Sequence, residues 1–495
     1  MSGRQTRGLL LGPVLFLLLL LIPTPENMPP PALAVAALTV LMAIWWVSEA
    51  IPIAATALLP IVLLPLLGVM DAGQVTLAYG HHLIFLFMGG FLIAVTMEKW
   101  GLHRRIAMHI IRRVGFTPAR IILGFMLATA FLSMWISNTA TTMLMMTIAL
   151  GVIRQTGGER GAMPAGQDRF GTALMLGIAY AASIGGVATL IGTPPNAIFA
   201  GIIEKNYGFS IGFADWMALG LPLSLSMLLF TWFYLTRIAY RSEQQSLSGG
   251  KEMIMRELTA LGPISNEERW VLLVFILVAA AWILRGLLGS AVFSMVKDST
   301  IAVSGALLLF LIPSRSVKGD SLLDWDTAVK IPWDIIILFG GGFALANAYK
   351  VSGLTLWIAH QLAILQGAGL LTVIAMIVLL VIFLTEVTSN TATATLLLPV
   401  MGALAVALNI HPYGPMIAAT LAASFAFMLP VATPPNAIVF SSRQVTIPQM
   451  ASAGIWLNII GCLLITAVIL LWLPVIWGLD LAGVPAHLSA AAKGG

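Results

Sequence analysis

The chain carries the same two polar interruptions twice. Ser137-Asn138-Thr139-Ala140-Thr141-Thr142 recurs as Ser389-Asn390-Thr391-Ala392-Thr393-Ala394. Each copy is followed by a second repeat, Gly192-Thr193-Pro194-Pro195-Asn196-Ala197-Ile198 and Ala432-Thr433-Pro434-Pro435-Asn436-Ala437-Ile438. All four lie inside long apolar stretches. Within a bilayer every backbone N–H and C=O needs a partner, so a helix can be broken there only where protein or a water-filled cavity covers the break. Matched breaks in two related halves are the mark of secondary transporters that bind cargo between those halves.

Composition places these stretches in a membrane. Hydrophobic residues make up 59% of the 495 and charged residues 9%, with a mean hydropathy of +0.98. This is an all-α polytopic membrane protein and excludes a soluble enzyme. Apolar runs at 9–22, 31–46, 54–69, 83–97, 171–203, 216–240, 270–287, 300–312, 333–349, 416–440 and 455–477 give about eleven transmembrane helices. Two further stretches, 119–154 and 368–408, are broken by the Ser-Asn-Thr motifs and read as re-entrant hairpins. The first run follows Arg4 and Arg7 and imitates a signal peptide. However, its apparent cleavage box Ala32-Leu33-Ala34 lies beyond a Pro-rich stretch, so in a chain beginning at Met1 it is read as a short first span.

The organisation predicted is an N-terminal first span (1–30), a first repeat (31–240), a cytoplasmic linker (241–269), a second repeat (270–478) and an external tail (479–495). With the N-terminus inside and the hairpins non-crossing, twenty of the 25 Lys and Arg fall on the cytoplasmic side and five outside (Lys205, Arg285, Lys297, Lys350 and Lys493). That bias supports the map. The net charge of +5 follows from these loops and points to anionic lipid of the inner leaflet as a partner, not to nucleic acid.

The duplication extends past the motifs. Gly89-Gly90-Phe91 matches Gly341-Gly342-Phe343, and Gly101-Leu102 matches Gly353-Leu354, at the same 252-residue spacing as the Ser-Asn-Thr pair; the Thr-Pro-Pro-Asn pair is 240 apart. Five crossings separate the spans starting at 83 and 333, an odd number, so the halves are predicted to be inverted. Helical segments at 102–114 and 354–365 precede the hairpins, and the first, with Arg104, Arg105, Arg112 and Arg113, suits an interfacial helix.

Ser and Thr are good N-caps, Pro is favoured at the first helical position, and Asn offers both donors and an acceptor. All four motifs therefore read as helix starts with exposed N–H groups, which attract anions. The carbonyls ending the preceding half-helices, with the Ser, Thr and Asn oxygens, suit a small hard cation such as Na⁺. No Lys or Arg lies in any motif. A bound dianion must then be balanced by helix ends, amides and co-bound cations, because burying an uncompensated carboxylate costs several kcal/mol.

Paired Ser-Asn-Thr and Thr-Pro-Pro-Asn motifs resemble the divalent anion/Na⁺ symporter (DASS) family of di- and tricarboxylate transporters, over about residues 31–477. The resemblance implies a homodimer with a scaffold and an elevator-type transport domain, two Na⁺ sites flanking one substrate site, and no organic cofactor. Carried over, the first Na⁺ site uses Ser133, Ser137, Asn138 and Gly192, and the second Thr385, Thr388, Asn390 and Ala432; substrate carboxylates meet Asn138, Thr139, Asn390, Thr391, Thr433 and Pro434. Thr388 stands where a relative has Ala, so only its carbonyl is carried over. The implied function is Na⁺-coupled uptake of C4-dicarboxylates (succinate, malate, fumarate) across a bacterial inner membrane, with the N-terminus cytoplasmic and the C-terminus external. Citrate uptake or Na⁺-independent dicarboxylate exchange is the alternative.

Other signals are set aside. Gly208-Phe209-Ser210-Ile211-Gly212 fits a nucleophile elbow without strand–turn–helix context. His81-His82 has no metal-spaced partners in the sequence and reads as interfacial, and the single cysteine, Cys462, reads as a small buried hydrophobe. No HExxH, paired intramembrane aspartates or Ser–Lys arrangement supports an intramembrane enzyme. Glu386, three residues before Ser389, is either a proton relay or a structural carboxylate; its neighbours favour the second.

Overall fold

A computed structural model describes residues 3–157, 168–241, 248–288, 295–317 and 319–483. Arg160, Lys318 and Lys493 of the charge count, residues 242–247 of the linker and 484–495 of the tail lie outside them. Among the described residues the chain is helical, and the one β pairing is an isolated bridge between Pro313 and Ser321.

Helix α1 (Gly3–Leu21) packs along α2 (Pro30–Ser48). The run at 54–69 forms α3 (Ile53–Thr56), which starts after its N-cap Pro52, and α4 (Leu59–Leu66), which starts afresh with Pro60 in its first turn, where the missing N–H costs no helical hydrogen bond. After α5 (Ala72–Tyr79) comes a series: α6 (His82–Lys99), α7 (Leu102–Val114), α8 (Pro118–Ser133), α9 (Asn138–Gly157), α10 (Arg169–Gly186), α11 (Pro194–Tyr207) and α12 (Phe213–Phe233), ending in a π-helical segment, Tyr234–Ala239. Helices α13 (Ser248–Ala260), α14 (Asn266–Leu288), α15 (Asp298–Leu311) and α16 (Trp325–Ala328) intervene. The series then recurs as α17 (Trp333–Val351), α18 (Leu354–Leu362), α19 (Leu370–Thr385), α20 (Asn390–Leu408), α21 (Tyr413–Ala422), α22 (Pro434–Ser441) and α23 (Ile447–Ala467), again with a π-helical segment, Val468–Trp472, before α24 (Leu473–Trp477).

Among the described residues eight helices are long and apolar enough to cross a membrane, or nine if the pair Leu354–Leu365 and Leu370–Thr385, bent by 116°, is one span. The expectation of about eleven transmembrane helices counts a run broken by a Thr-Pro-Pro-Asn motif as one. The runs at 171–203 and 416–440 are divided, like 54–69, and 300–312 supplies only the 14-residue α15.

Repetition reaches the packing. Gly101 and Gly353 start α7 and α18 with φ of 71° and 78°, a left-handed turn that lets the chain change direction after α6 and α17. Gly89 lets α6 approach the backbone of α15 at Ala302, and its counterpart Gly341 lets α17 approach Ala57. Likewise Gly220 lies against Val187 O and Gly454 against Phe427 O. Small residues at such crossings let helices pack by close backbone contact, which drives helix association where lipid offers no hydrophobic drive.

Candidate functional site

Both Ser-Asn-Thr breaks and both Thr-Pro-Pro-Asn breaks open into one cavity of about 470 Å³. Ser137, Asn138, Thr139, Gly192, Thr388, Asn390, Thr391, Ala432, Thr433 and Pro434 line it. Ser133 and Thr385 do not line it but stand behind it, fully buried, each hydrogen-bonded to the cavity asparagine of its own half. All of the site residues expected from the sequence thus come together. Phe87, Phe91 and Leu338 form part of the wall, and Arg4, Glu49 and Asp334 are the only charged side chains among the described lining residues.

The two halves hold their asparagines alike. Ser133 Oγ bonds Asn138 Oδ1 and lies 2.6 Å from Ala182 O; Thr385 Oγ1 lies 2.8 Å from Asn390 Oδ1 and 3.0 Å from Ala423 O. A hydroxyl has one proton, so each arrangement brings three oxygens together and can satisfy only one oxygen–oxygen contact. Such an oxygen-rich, proton-poor cluster is suited to a hard cation. In the first half a Cβ on Gly186 would sit 2.9 Å from both Asn138 Oδ1 and Gly192 O, and one on Gly192 would sit 2.4 Å from Gly186 O. These oxygens leave too little room for a side-chain carbon, whereas a hard cation accepts oxygen contacts of about 2.3–2.6 Å, so the donor set fits a small cation such as Na⁺.

The second motif is pinned from behind. Asn196 Nδ2 donates to Thr189 O at 2.7 Å and more weakly to Gly186 O and Val187 O, and Asn436 Nδ2 donates to Leu429 O at 3.0 Å and Ala426 O at 3.2 Å. These bonds tie the start of α11 or α22 to the chain before it, fixing the break.

Capping differs between the halves. Ser137 Oγ accepts from Ala140 N at 3.2 Å and Thr433 Oγ1 from Asn436 N at 3.3 Å, whereas Ser389 and Thr193 make no side-chain cap. The first N–H groups of α20 are therefore open to an anion. Thr193 and Ser183 are polar lining residues that were not assigned to the site from the sequence. Thr193 could have been, as the 240-residue counterpart of Thr433. Ser183, which lines the cavity with a buried, unpartnered hydroxyl, carries no motif that could have revealed it.

Glu386 has no counterpart in the first half, where Met134 stands at the matching place. Its carboxylate accepts from Phe427 N (2.7 Å), Met428 N (2.9 Å), Leu429 N (3.0 Å) and Asn458 Nδ2 (2.8 Å). The end of α19 is thereby clamped to the loop that carries the second Thr-Pro-Pro-Asn motif. In the first half Thr189 does this work, donating to Met134 O at 2.6 Å and accepting from Gly192 N at 3.0 Å. The Thr388 hydroxyl turns back to Leu384 O at 2.8 Å and Thr393 Oγ1 at 2.6 Å, which leaves its carbonyl as the group to consider.

The histidine pair departs from its sequence reading. His81 and His82 do have a partner: Glu204, 122 residues on from His82, lies 2.7 Å from His82 Nε2, and the three groups come within 4.8 Å of one another. Sequence spacing could not show this, since the contact joins the start of α6 to the end of α11. Lys297 holds the other Glu204 oxygen at 3.3 Å. Gly208 and Gly212 merely end α11 and cap α12, so their stretch is no nucleophile elbow.

The family model described as sodium:sulfate symporter transmembrane region matches residues 4–479. The chain is 45% identical over 481 residues to the sodium-dependent dicarboxylate transporter SdcS of Staphylococcus saprophyticus, covering 96% of this chain and 93% of that protein. It is equally 45% identical over 485 residues to SdcS of Staphylococcus aureus, covering 97% and 93%. Among solved structures the Alcanivorax borkumensis YdaH transporter is similar in fold, with a TM-score of 0.54 at 13% identity, covering 91% of this chain and 99% of that one. Neisseria gonorrhoeae MtrF has a TM-score of 0.54 at 12% identity, covering 96% and 100%.

Proposed function

Since the chain belongs to the sodium:sulfate symporter family, and is therefore an integral membrane transporter and not an enzyme, we propose that it carries out Na⁺-coupled uptake of C4-dicarboxylates such as succinate, malate and fumarate. The observation that carries this reading is the convergence of four helix breaks on one cavity whose motifs contain no Lys or Arg. A dianion bound there is balanced by helix N-termini, amides and cations seated on the two oxygen clusters. Asn138 and Asn390 face both cation and substrate; Thr139, Thr391, Thr433 and Pro434 complete the substrate site. The cation sites use Ser133, Ser137, Asn138 and Gly192 in one half and Thr385, the Thr388 carbonyl, Asn390 and Ala432 in the other.

The relatives named sodium-dependent dicarboxylate transporter support Na⁺ and a dicarboxylate as cargo. The duplicated element order supports two inverted halves, with a transport body sliding against a scaffold within a homodimer. The charge bias supports an inner-membrane orientation with the N-terminus cytoplasmic and the C-terminus external. The test is flux of labelled succinate and citrate into proteoliposomes, with and without an inward Na⁺ gradient. Succinate uptake that follows the gradient is expected. Preference for citrate would move the assignment to tricarboxylates, and equal uptake in choline and Na⁺ to exchange.

A further inference from the structure

Away from the central cavity, a cleft of about 1030 Å³ opens where α8 and α10 begin and the π-helical end of α12 finishes. Among the described residues its lining includes Arg120, Arg169, Arg237 and Arg241 and no acidic residue. All four arginines are exposed, and among the described residues none is in an ion pair, whereas Arg104, Arg105 and Arg285 each hold a carboxylate. Thr117 gives α8 no side-chain cap, so the positive end of that helix adds to the rim. The floor is apolar. Ile122 and Leu123 line it beside Trp232, whose Nε1 donates to Ala119 O at 2.8 Å.

We propose that this cleft binds the headgroup of an anionic phospholipid, its phosphate held between guanidinium groups and its glycerol and first acyl carbons resting on Trp232, Ile122 and Leu123. Guanidinium forks match phosphate oxygens in pairs. A free phosphate ion would need only the rim; the apolar floor favours the lipid. The depth agrees, because the apolar span Phe213–Ala239 ends at this cleft. Arginines placed only to set topology need positive charge near a span end, not convergence on one cleft. The inference requires insertion in a membrane and is independent of the cargo.

The test uses the full chain in a neutral detergent, titrated with dioctanoyl phosphatidylglycerol, dioctanoyl phosphatidylcholine or inorganic phosphate, with binding read by calorimetry. Wild type is expected to prefer phosphatidylglycerol by about tenfold or more, as several converging cations imply. Arg120→Gln/Arg237→Gln should reduce that preference to roughly threefold or less, while Arg112→Gln/Arg113→Gln, which removes the same charge outside the cleft, should retain it. Should the first variant fail to fold, Arg241→Gln alone carries the test, with at least a roughly threefold drop expected. Equal affinity for the two lipids, an unchanged preference in the cleft variants, or an equal loss in the control pair would overturn the proposal. So would displacement of the lipid by phosphate at matching concentration, which would assign the cleft to a soluble anion.

Discussion

Gly186 shows how little room the first oxygen cluster leaves. A methyl group there would press on Asn138 Oδ1 and Gly192 O, both 2.9 Å away, and fill the space assigned to the cation. Gly186→Ala is therefore expected to raise the Na⁺ concentration for half-maximal succinate uptake by about tenfold, the order of one lost cation contact. Gly177→Ala, whose Cβ would press on nothing closer than the flexible Met126 side chain at 3.1 Å, should leave it near wild type. Equal Na⁺ dependence in the two variants would remove Gly186 from the cation site. Glu386 makes a second case. Gln would place an NH₂ against backbone donors that now share a carboxylate, leaving them mismatched at about 1–3 kcal/mol. Glu386→Gln should lose melting temperature and Na⁺-driven flux together; an unchanged melting temperature and Na⁺-driven flux, with a pH-gradient component gone, would mark a proton relay instead.

At the scale of elements, α6 is tied to α16 by Lys99, whose ammonium is hydrogen-bonded to Asp324 and holds that carboxyl down at about 2. A depressed carboxyl pKa contributes stability above its unfolded value near 3.9, and the contribution is lost as pH falls through the folded value. The melting-temperature difference between wild type and Asp324→Asn should be constant above about pH 5 and shrink toward pH 2. A difference that persists undiminished at pH 2 would show that the pair does not act through this charge. The elements themselves were unequally legible. The helix starts at Asn138, Pro194, Asn390 and Pro434 follow from N-cap and proline chemistry and could be read from the sequence. The division of the run at 54–69 was missed because hydropathy averages over its prolines. The His82–Glu204 contact and the Glu386 clamp were out of reach, since each depends on residues brought together only by the fold.

For the whole molecule, two copies of one helix series deliver four breaks to a single cavity, and the account stands on that cavity binding a dicarboxylate only with cations beside it. Its most direct test is equilibrium binding of succinate to the purified protein in Na⁺ and in choline, for wild type, Asn138→Ala and Asn390→Ala. Binding is expected to rise more than linearly with Na⁺, to be weak in choline, and to be lost in both folded variants. Equal binding in the two salts, or wild-type binding in either variant, would contradict it.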